Sequence, residues 1–558
     1  MRRKILLFSS LCMMSWSLMA SGTVKDKELE TIQTELNREF KILSEQSPAV
    51  YYMDYRVESR QTWYRNASMG QITGSNMSKQ SFFNPTVRVG SADFDNTHLI
   101  KGKRPQNAYT LKQYPIEFDE MAVRQLLWNA TDGAYKKAAQ EFRFKKNSIK
   151  VEDKTSIPDF SNTKAVEYIE PVSPITVSDE KLQEFEAMVK EASALFSQDK
   201  DFTKGNVNFR FEKKRKYFVS SENQLLAQNY LTARIMIQGT IRSEEGNQMS
   251  LHHIMDAFDP NDLPGKDSVL NATKQVVAKL IELKNAPIAD PYSGPAILSP
   301  SAAGVFFHEI FGHRIEGHRL KDETNGQTFK SKVGEMVLPK TFSVTFNPQI
   351  KTYHGFDLNG YYKYDDQGVE GGEVKVVENG VLNNFLMCSS PIEGFTTSNG
   401  HGRGDIFRTP VSRQSNMFIE VTKKYTDEQL RKMLIKECKK QKLEYGYYFK
   451  KVTGGFTMTG RFIPNAFNVT PNEVYKVYVD GRPDELVRGV DLIGTPLSMF
   501  SKIEAGGNTE GLFNGTCGAE SGGVPVATVS PAILVGKIET QKKSQKFSTG
   551  PILTPPGL

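Results

Sequence analysis

The segment His308-Glu309-Ile310-Phe311-Gly312-His313-Arg314-Ile315-Glu316-Gly317-His318 sets the strongest constraint on how this chain can fold. Three of the protein's eight histidines fall inside it, beside two glutamates and among apolar neighbours. Neutral imidazoles are the usual ligands of zinc, and a glutamate next to one of them can take a proton from water on the metal. The common spacing is H-E-x-x-H, which stacks both histidines on one helical face. Here the second histidine comes one residue later. At roughly 100° per residue, i and i+5 diverge by about 140° on a regular helix. Both rings can turn to one metal only if the helix widens or breaks between them, and Gly312 supplies the backbone freedom for that. The spacing alone leaves two readings open: a metal site, and a helix whose histidines are satisfied by hydrogen bonds.

The surrounding sequence bears on that choice. Gly294-Pro295, the run Leu298-Ser299-Pro300-Ser301-Ala302-Ala303-Gly304-Val305-Phe306-Phe307-His308-Glu309, Gly312-His313 and Glu316-Gly317 resemble the signature of the TldD/PmbA family of metallopeptidases. Far downstream, Asn514-Gly515-Thr516-Cys517-Gly518, followed by Val524-Pro525-Val526 and Pro531, resembles the setting of that family's C-terminal cysteine. Ser398 to Arg403, and Pro410, Arg413 and Ser415-Asn416, extend the resemblance, which covers roughly residues 290 to 540. It implies zinc held by His308, His313 and Cys517, with Glu309 as the general base that later protonates the leaving amine. It further implies hydrolysis of unstructured peptides taken up in extended form with broad sequence preference. A homodimer, or a heterodimer with a related TldD/PmbA-type subunit, is expected, with this chain as the catalytic member. His318 departs from the family pattern, where an acidic residue commonly follows Glu-Gly. Two positions keep two readings each. Glu316 is either a carboxylate that fixes an imidazole or a packing residue. His401 and Arg403 either orient substrate or hold a turn. Two other function classes remain: a non-catalytic binding or scaffold subunit with structural zinc or none, and a cysteine hydrolase using Cys517.

Residues 1–22 read as a secretory signal: Arg2, Arg3 and Lys4 precede an apolar run, and Ala20, Ser21 and Gly22 follow it. The run is broken by serines and falls short of the ~20 apolar residues of a spanning helix, so no stable membrane span is expected. Export to a periplasmic or extracellular compartment follows. The net charge is +7, of which the signal carries three, too little to argue for a nucleic-acid partner. The run Lys213-Lys214-Arg215-Lys216 reads as a solvated strand end or loop. Without the signal three cysteines remain, Cys388, Cys438 and Cys517. An odd number leaves at least one unpaired, and a bridge between Cys388 and Cys438 is possible but not demanded. A metal thiolate accounts for the third.

Periodicity predicts an α+β protein. Helices are expected over Lys25–Ser47, Phe118–Phe144, Asp179–Phe196, Ser268–Asn285, the motif helix and Thr426–Lys442. Strands are expected over Val50–Val89, Val207–Phe211, Lys216–Ser220 and Leu231–Ile241, with His252 and His253 closing a strand as surface or packing residues. Residues 145–178 read as a polar excursion. Four prolines between Ala286 and Pro300 mark a domain boundary. The division is a signal at 1–22, an N-terminal α+β domain with an antiparallel sheet at 23–290, and a C-terminal β-rich metallopeptidase domain carrying the metal-binding helix at 291–558. In the latter, Leu338–Phe346, Gly372–Glu378 and Val381–Met387 alternate, and Asn379-Gly380 supplies a type I′ turn. The end, 550–558, reads as frayed.

Overall fold

Two long antiparallel hairpins make the first sheet. A computed structural model describes residues 26–100, 111–149, 156–322, 324–457 and 467–543. The signal-like segment and the proline-rich end lie outside the described residues. In chain order the strands are β1 (Val50–Ser68), β2 (Gln71–Val89), β3 (Lys112–Gln113), β4 (Val166–Ile169), β5 (Phe202–Ser220), β6 (Gln224–Arg242) and β7 (Gln248–Ala257). They lie in the order β3-β2-β1-β5-β6, with parallel β4 and antiparallel β7 both on the far side of β6. Met69 and Gly70, at φ +50° and +82°, form the two-residue turn of the first hairpin.

Strand alternation gives this sheet two unlike faces. Odd-numbered positions such as Tyr55, Val57, Phe209, Phe211, Ile235 and Ile237 are buried in apolar cores. Helices α1 (Lys27–Ser44) and α2 (Glu120–Ser148) cover one end of that face, and α3 (Asp179–Ala194) and α4 (Lys266–Asn285) the other. Even-numbered positions are mostly polar, and several of them bond to the C-terminal half. Arg56 Nη2 donates to the Arg408 carbonyl at 2.9 Å, Lys216 Nζ to Asp366 Oδ1 at 2.8 Å, and Gln224 Nε2 to the Gly368 carbonyl at 3.2 Å.

This corrects the reading of Lys213-Lys214-Arg215-Lys216 as a strand end or loop. The run lies inside β5, which is one strand where alternation predicts two. Lys214 and Lys216 each lie 3.9 Å from the buried Glu58, so cross-strand charge pairing carries the strand through a stretch with no apolar pattern. His252 and His253 sit inside β7 rather than closing a strand. Val166–Ile169 forms a short strand within the polar excursion, and of Val381–Met387 only Val381–Leu382 is in a strand.

The second half is built around a ring. Tyr292–Leu298 (β8), Tyr445–Thr457, Phe467–Tyr478, Val490–Gly494 and Gly522–Lys542 pair successively, and the last pairs back with β8. Helix α5 (Pro300–Ile310) follows β8 directly. Ser299 caps it, accepting from Ala302 N–H at 3.3 Å, and Pro300 occupies the first turn. Every residue from Ala302 to Ile310 is buried, the placement expected of a helix that is apolar all round. Asn379 and Gly380, both at positive φ, make the expected hairpin turn. Cys388, Cys438 and Cys517 are all free, and Cys438 packs with Leu430 and Leu434, so Cys388 and Cys438 form no bridge. No described helix is long and apolar enough to cross a membrane.

Candidate metal centre

The motif helix breaks where its spacing demands. Helix α5 ends at Ile310, and Gly312–Arg314 forms a tighter 3₁₀ turn in which Arg314 N–H donates to the Phe311 carbonyl at 2.8 Å. Close approach is why residue 312 is glycine: a Cβ there would lie 2.0 Å from Gln414 Oε1. The Arg314 guanidinium folds back and donates to the carbonyls of Glu309 (2.8 Å) and Ile310 (3.1 Å), satisfying the helix end. With the register broken, the rings of His308 and His313 stand 5.0 Å apart at 81°.

Cys517 arrives from the strand Ile503–Ala519, its Sγ 3.4 Å from His313 Nε2. One ligand atom from each of His308, His313 and Cys517 lies within 4.8 Å of the others, and all three residues are buried. His313 Nδ1 is held by Glu316 Oε2 at 3.2 Å, which leaves Nε2 directed at the thiol. Among the described residues His308 Nδ1 is buried without a hydrogen-bond partner, an orphaned polar atom consistent with a site for a cation. Two imidazoles and a thiolate are a donor set suited to zinc.

The charges are arranged to match. Burial pushes the Cys517 thiol up, but His313 and His308 outweigh it and hold it well below the ordinary value. Burial alone would depress His313; the Cys517 and Glu316 charges raise it to about 10. Burial likewise opposes ionisation of Glu316, yet His313 and Arg319 bring it down to about 2. Glu316 is thus the carboxylate that fixes an imidazole. Glu309 lines the cavity beside the ligands, and burial raises its carboxyl above the usual range despite His308 and His313.

One buried run, of which the family resemblance marked Arg413 and Ser415 but not Gln414, ties the site together. Within Ser412-Arg413-Gln414-Ser415, Gln414 Nε2 donates to the His308 carbonyl at 3.3 Å. Arg413 Nη2 donates to the Cys517 carbonyl at 2.6 Å, and its Nε lies 3.4 Å from Glu316 Oε1. A single turn of chain therefore touches the backbone of two ligands and the carboxylate behind the third. Resemblance flagged Arg413, but its target, a carbonyl about a hundred residues away, leaves no local signal.

The remaining candidates divide. His318 is not among the ligand atoms: its Nε2 bonds Glu520, which also accepts from Arg319 Nη2 at 2.9 Å. His401 is fully buried between the Asn399 carbonyl (3.1 Å) and Ser415 Oγ (3.0 Å), and burial depresses it to about 3. Arg403 stacks 4.7 Å above Tyr362 and donates to the Gln414 carbonyl. These two hold the turn behind the site and do not reach the cavity.

A cavity of about 540 Å³ opens beside the centre. One wall is His308, Glu309, His313 and the strand Asn514–Glu520, with Gly454–Thr457 at its rim. The opposite wall is the polar face of β6 and β7: Arg234, Met236, Gln238, His252 and Ile254. The site is therefore shared by both halves of the chain, and nothing in the local sequence of β6 or β7 announces it.

Comparison with known proteins agrees with this geometry. Residues 291–542 match the family described as PmbA/TldA metallopeptidase C-terminal domain. The chain is 26% identical over 313 residues to a metalloprotease of Methanocaldococcus jannaschii, covering 56% of this chain and 64% of that protein. It is 24% identical over 375 residues to a zinc metalloprotease TldD homolog of Saccharolobus solfataricus, covering 65% of this chain and 76% of that one. A metalloprotease of Archaeoglobus fulgidus is 29% identical over 270 residues, with 48% and 58% covered, so the chain spans about three fifths of several relatives it matches. The solved structure of TldE from Thermococcus kodakarensis shares the fold, with a TM-score of 0.60 at 14% identity, covering 92% of this chain and 100% of that one. The broken H-E-x-x-x-H helix and the distant cysteine thus both fall within residues 291–542, the part of the chain that matches the PmbA/TldA metallopeptidase C-terminal domain.

Proposed function

We propose that the protein is a zinc-dependent peptidase that hydrolyses unstructured peptides with broad sequence preference. The observation that carries this reading is the convergence of His308, His313 and Cys517 on one point, with Glu309 on the same helix turn as His308. Those three residues would hold the ion, leaving a position open as catalytic zinc sites do. Zinc so held supplies Lewis acidity toward a carbonyl and lowers the pKa of a water toward about 7. The chain's own groups do the rest. Glu309, raised by burial, takes a proton from the attacking water and passes it to the leaving amine. Glu316 keeps the His313 ring in its orientation.

Substrate enters as an extended strand. Residues 510–519 pair with Gly522–Pro531 on one side, and on the other no strand pairs with them among the described residues. That free edge runs past Cys517 into the cavity and suits backbone recognition, which is blind to side chains and gives broad preference. The protein acts after export, from the signal-like residues 1–22, and pairs with a second copy or a related TldD/PmbA-type subunit.

The test is bound metal per chain and peptide cleavage together. About one zinc, much less in Cys517→Ser, and chelator-sensitive cleavage support the reading. Equal zinc in both proteins removes Cys517 from the centre. Full zinc with no cleavage of any peptide favours the alternative, a non-catalytic subunit with structural metal, although a structural site has no need of Glu309.

A further inference from the structure

The wall of the cavity opposite the metal ligands carries a polarised ion pair. Arg234 Nε donates to Asp256 Oδ1 at 2.6 Å and Arg234 Nη2 to Oδ2 at 2.9 Å, across a directly opposed pair of β6 and β7. Asn359 Nδ2 adds a third bond to Asp256 Oδ2 at 2.9 Å. The carboxylate is thus fully engaged, its side chain 4% exposed, and it does not line the cavity. The arginine is 23% exposed and does line it, with Nη1 making no hydrogen bond among the described residues. The cation faces the cavity and its counter-charge lies behind.

No carboxylate stands beside Arg234 among the β6 and β7 residues that line the cavity. His252, four pairs along the same ladder and opposite Gln238, also lines the cavity, and burial, then the charges of Arg234 and Lys451, push its pKa down. The anions of the cavity, Glu309 and Glu520, sit on the metal side, and Glu520 is paired with His318 and Arg319. A rigidly held guanidinium with a free N–H edge is the group that recognises a carboxylate.

We propose that Arg234, backed by Asp256 and Asn359, is a carboxylate subsite that anchors the peptide substrate on the wall facing the metal ligands. This rests on the peptidase reading for its substrate and deepens it. The peptide lies between the two walls, with its backbone along the Asn514–Ala519 edge and a carboxylate at Arg234. That carboxylate is either the peptide's C-terminus or an aspartate or glutamate side chain.

Binding is measured by calorimetry on the zinc-loaded protein carrying Glu309→Gln, so that turnover does not intervene. Four alanine-glycine hexapeptides are compared: free C-terminus, C-terminal amide, the amide with one aspartate, and the amide with asparagine in its place. The expected result is about tenfold tighter binding of a carboxylate peptide than of its neutral partner. Gain with the free terminus alone identifies the terminal carboxylate, and gain with aspartate alone identifies the side chain. Arg234→Gln combined with Asp256→Asn, which leaves no buried unpaired charge, should bring the ratio close to one while circular dichroism stays unchanged. Equal affinities in the starting protein, or a ratio that survives the double substitution, overturns the proposal. Cleavage of the neutral amide by protein with Glu309 intact is scored separately. Absence of cleavage of the carboxylate peptides as well, with the carboxylate preference in binding present, overturns the peptidase reading and leaves the subsite standing.

Discussion

Arg413 reaches the carbonyl of Cys517 at 2.6 Å and the carboxylate of Glu316 at 3.4 Å, so one buried guanidinium spans the two halves of the metal centre. Glu316 holds His313, and the strand carrying Cys517 is paired with Gly522–Lys542. Ser521 Oγ at 2.7 Å and the Gly522 carbonyl at 2.9 Å take the other guanidinium nitrogen. Arg413→Gln should therefore lower zinc affinity by about 10- to 100-fold, the usual cost of losing a group that orients ligands. Competition against a chelator dye reads this directly. Arg413→Lys, which keeps the charge but not the fork, should recover part of the loss. Unchanged affinity in both would remove Arg413 from the positioning of the site.

Glu309→Gln separates enzyme from scaffold. The side chain lines the cavity but is not one of the three converging ligands. Zinc content should stay near that of the starting protein while kcat/KM falls by about 10²- to 10⁴-fold, the range of a lost general base. Loss of zinc would place Glu309 in the coordination shell instead.

The sequence made the metal centre legible because its chemistry is concentrated: three residue types with few alternative uses, at a spacing that forces a helix to break at Gly312. Local signals likewise predicted the helices around Asp179–Ala194 and Asp427–Lys440 and the Asn379-Gly380 turn. What it hid depends on long-range pairing. The four cations of Lys213–Lys216 look like a loop until Glu58 and Asp366 are seen across from them. The β6–β7 wall reads as an ordinary half-buried strand pair until it is seen lining one cavity with residues of the C-terminal half. His318, which departs from the family pattern, is accommodated by Glu520, a residue that the fold brings near.

Glu58 should give the fold an acid limit. It is buried, so desolvation opposes its charge, but Lys214, Lys216 and Arg60 outweigh that and hold its pKa at about 2, below the ordinary 4.5. A carboxyl depressed in the folded state contributes stability that is complete above its unfolded pKa and is lost as pH falls toward the folded one. Stability should therefore decline between pH 4.5 and about 2. Glu58→Gln should cost about 1–3 kcal/mol at neutral pH and flatten that part of the acid limb. Denaturant melts at a series of pH values test both, and an unaltered slope in the variant would assign the acid limb to other groups.

Gly312→Ala should damage fold and site together. Residue 312 lies at the helix break with Gln414 packed against it, and an added Cβ would sit 2.0 Å from Gln414 Oε1 and 2.3 Å from Cδ. Gln414 cannot retreat freely, because it is fully buried and its Nε2 bonds the His308 carbonyl. Overpacking of this kind costs about 1–3 kcal/mol, and relief by shifting the 3₁₀ turn would carry His313 away from Cys517. Gln414→Ala in the same chain removes the obstructing atoms. The double variant should regain most of the lost stability in thermal melts, and zinc affinity should recover only as far as His308 stays in place without its carbonyl partner. If Gly312→Ala alone melts and binds zinc like the starting protein, the close approach at residue 312 does not fix the helix break.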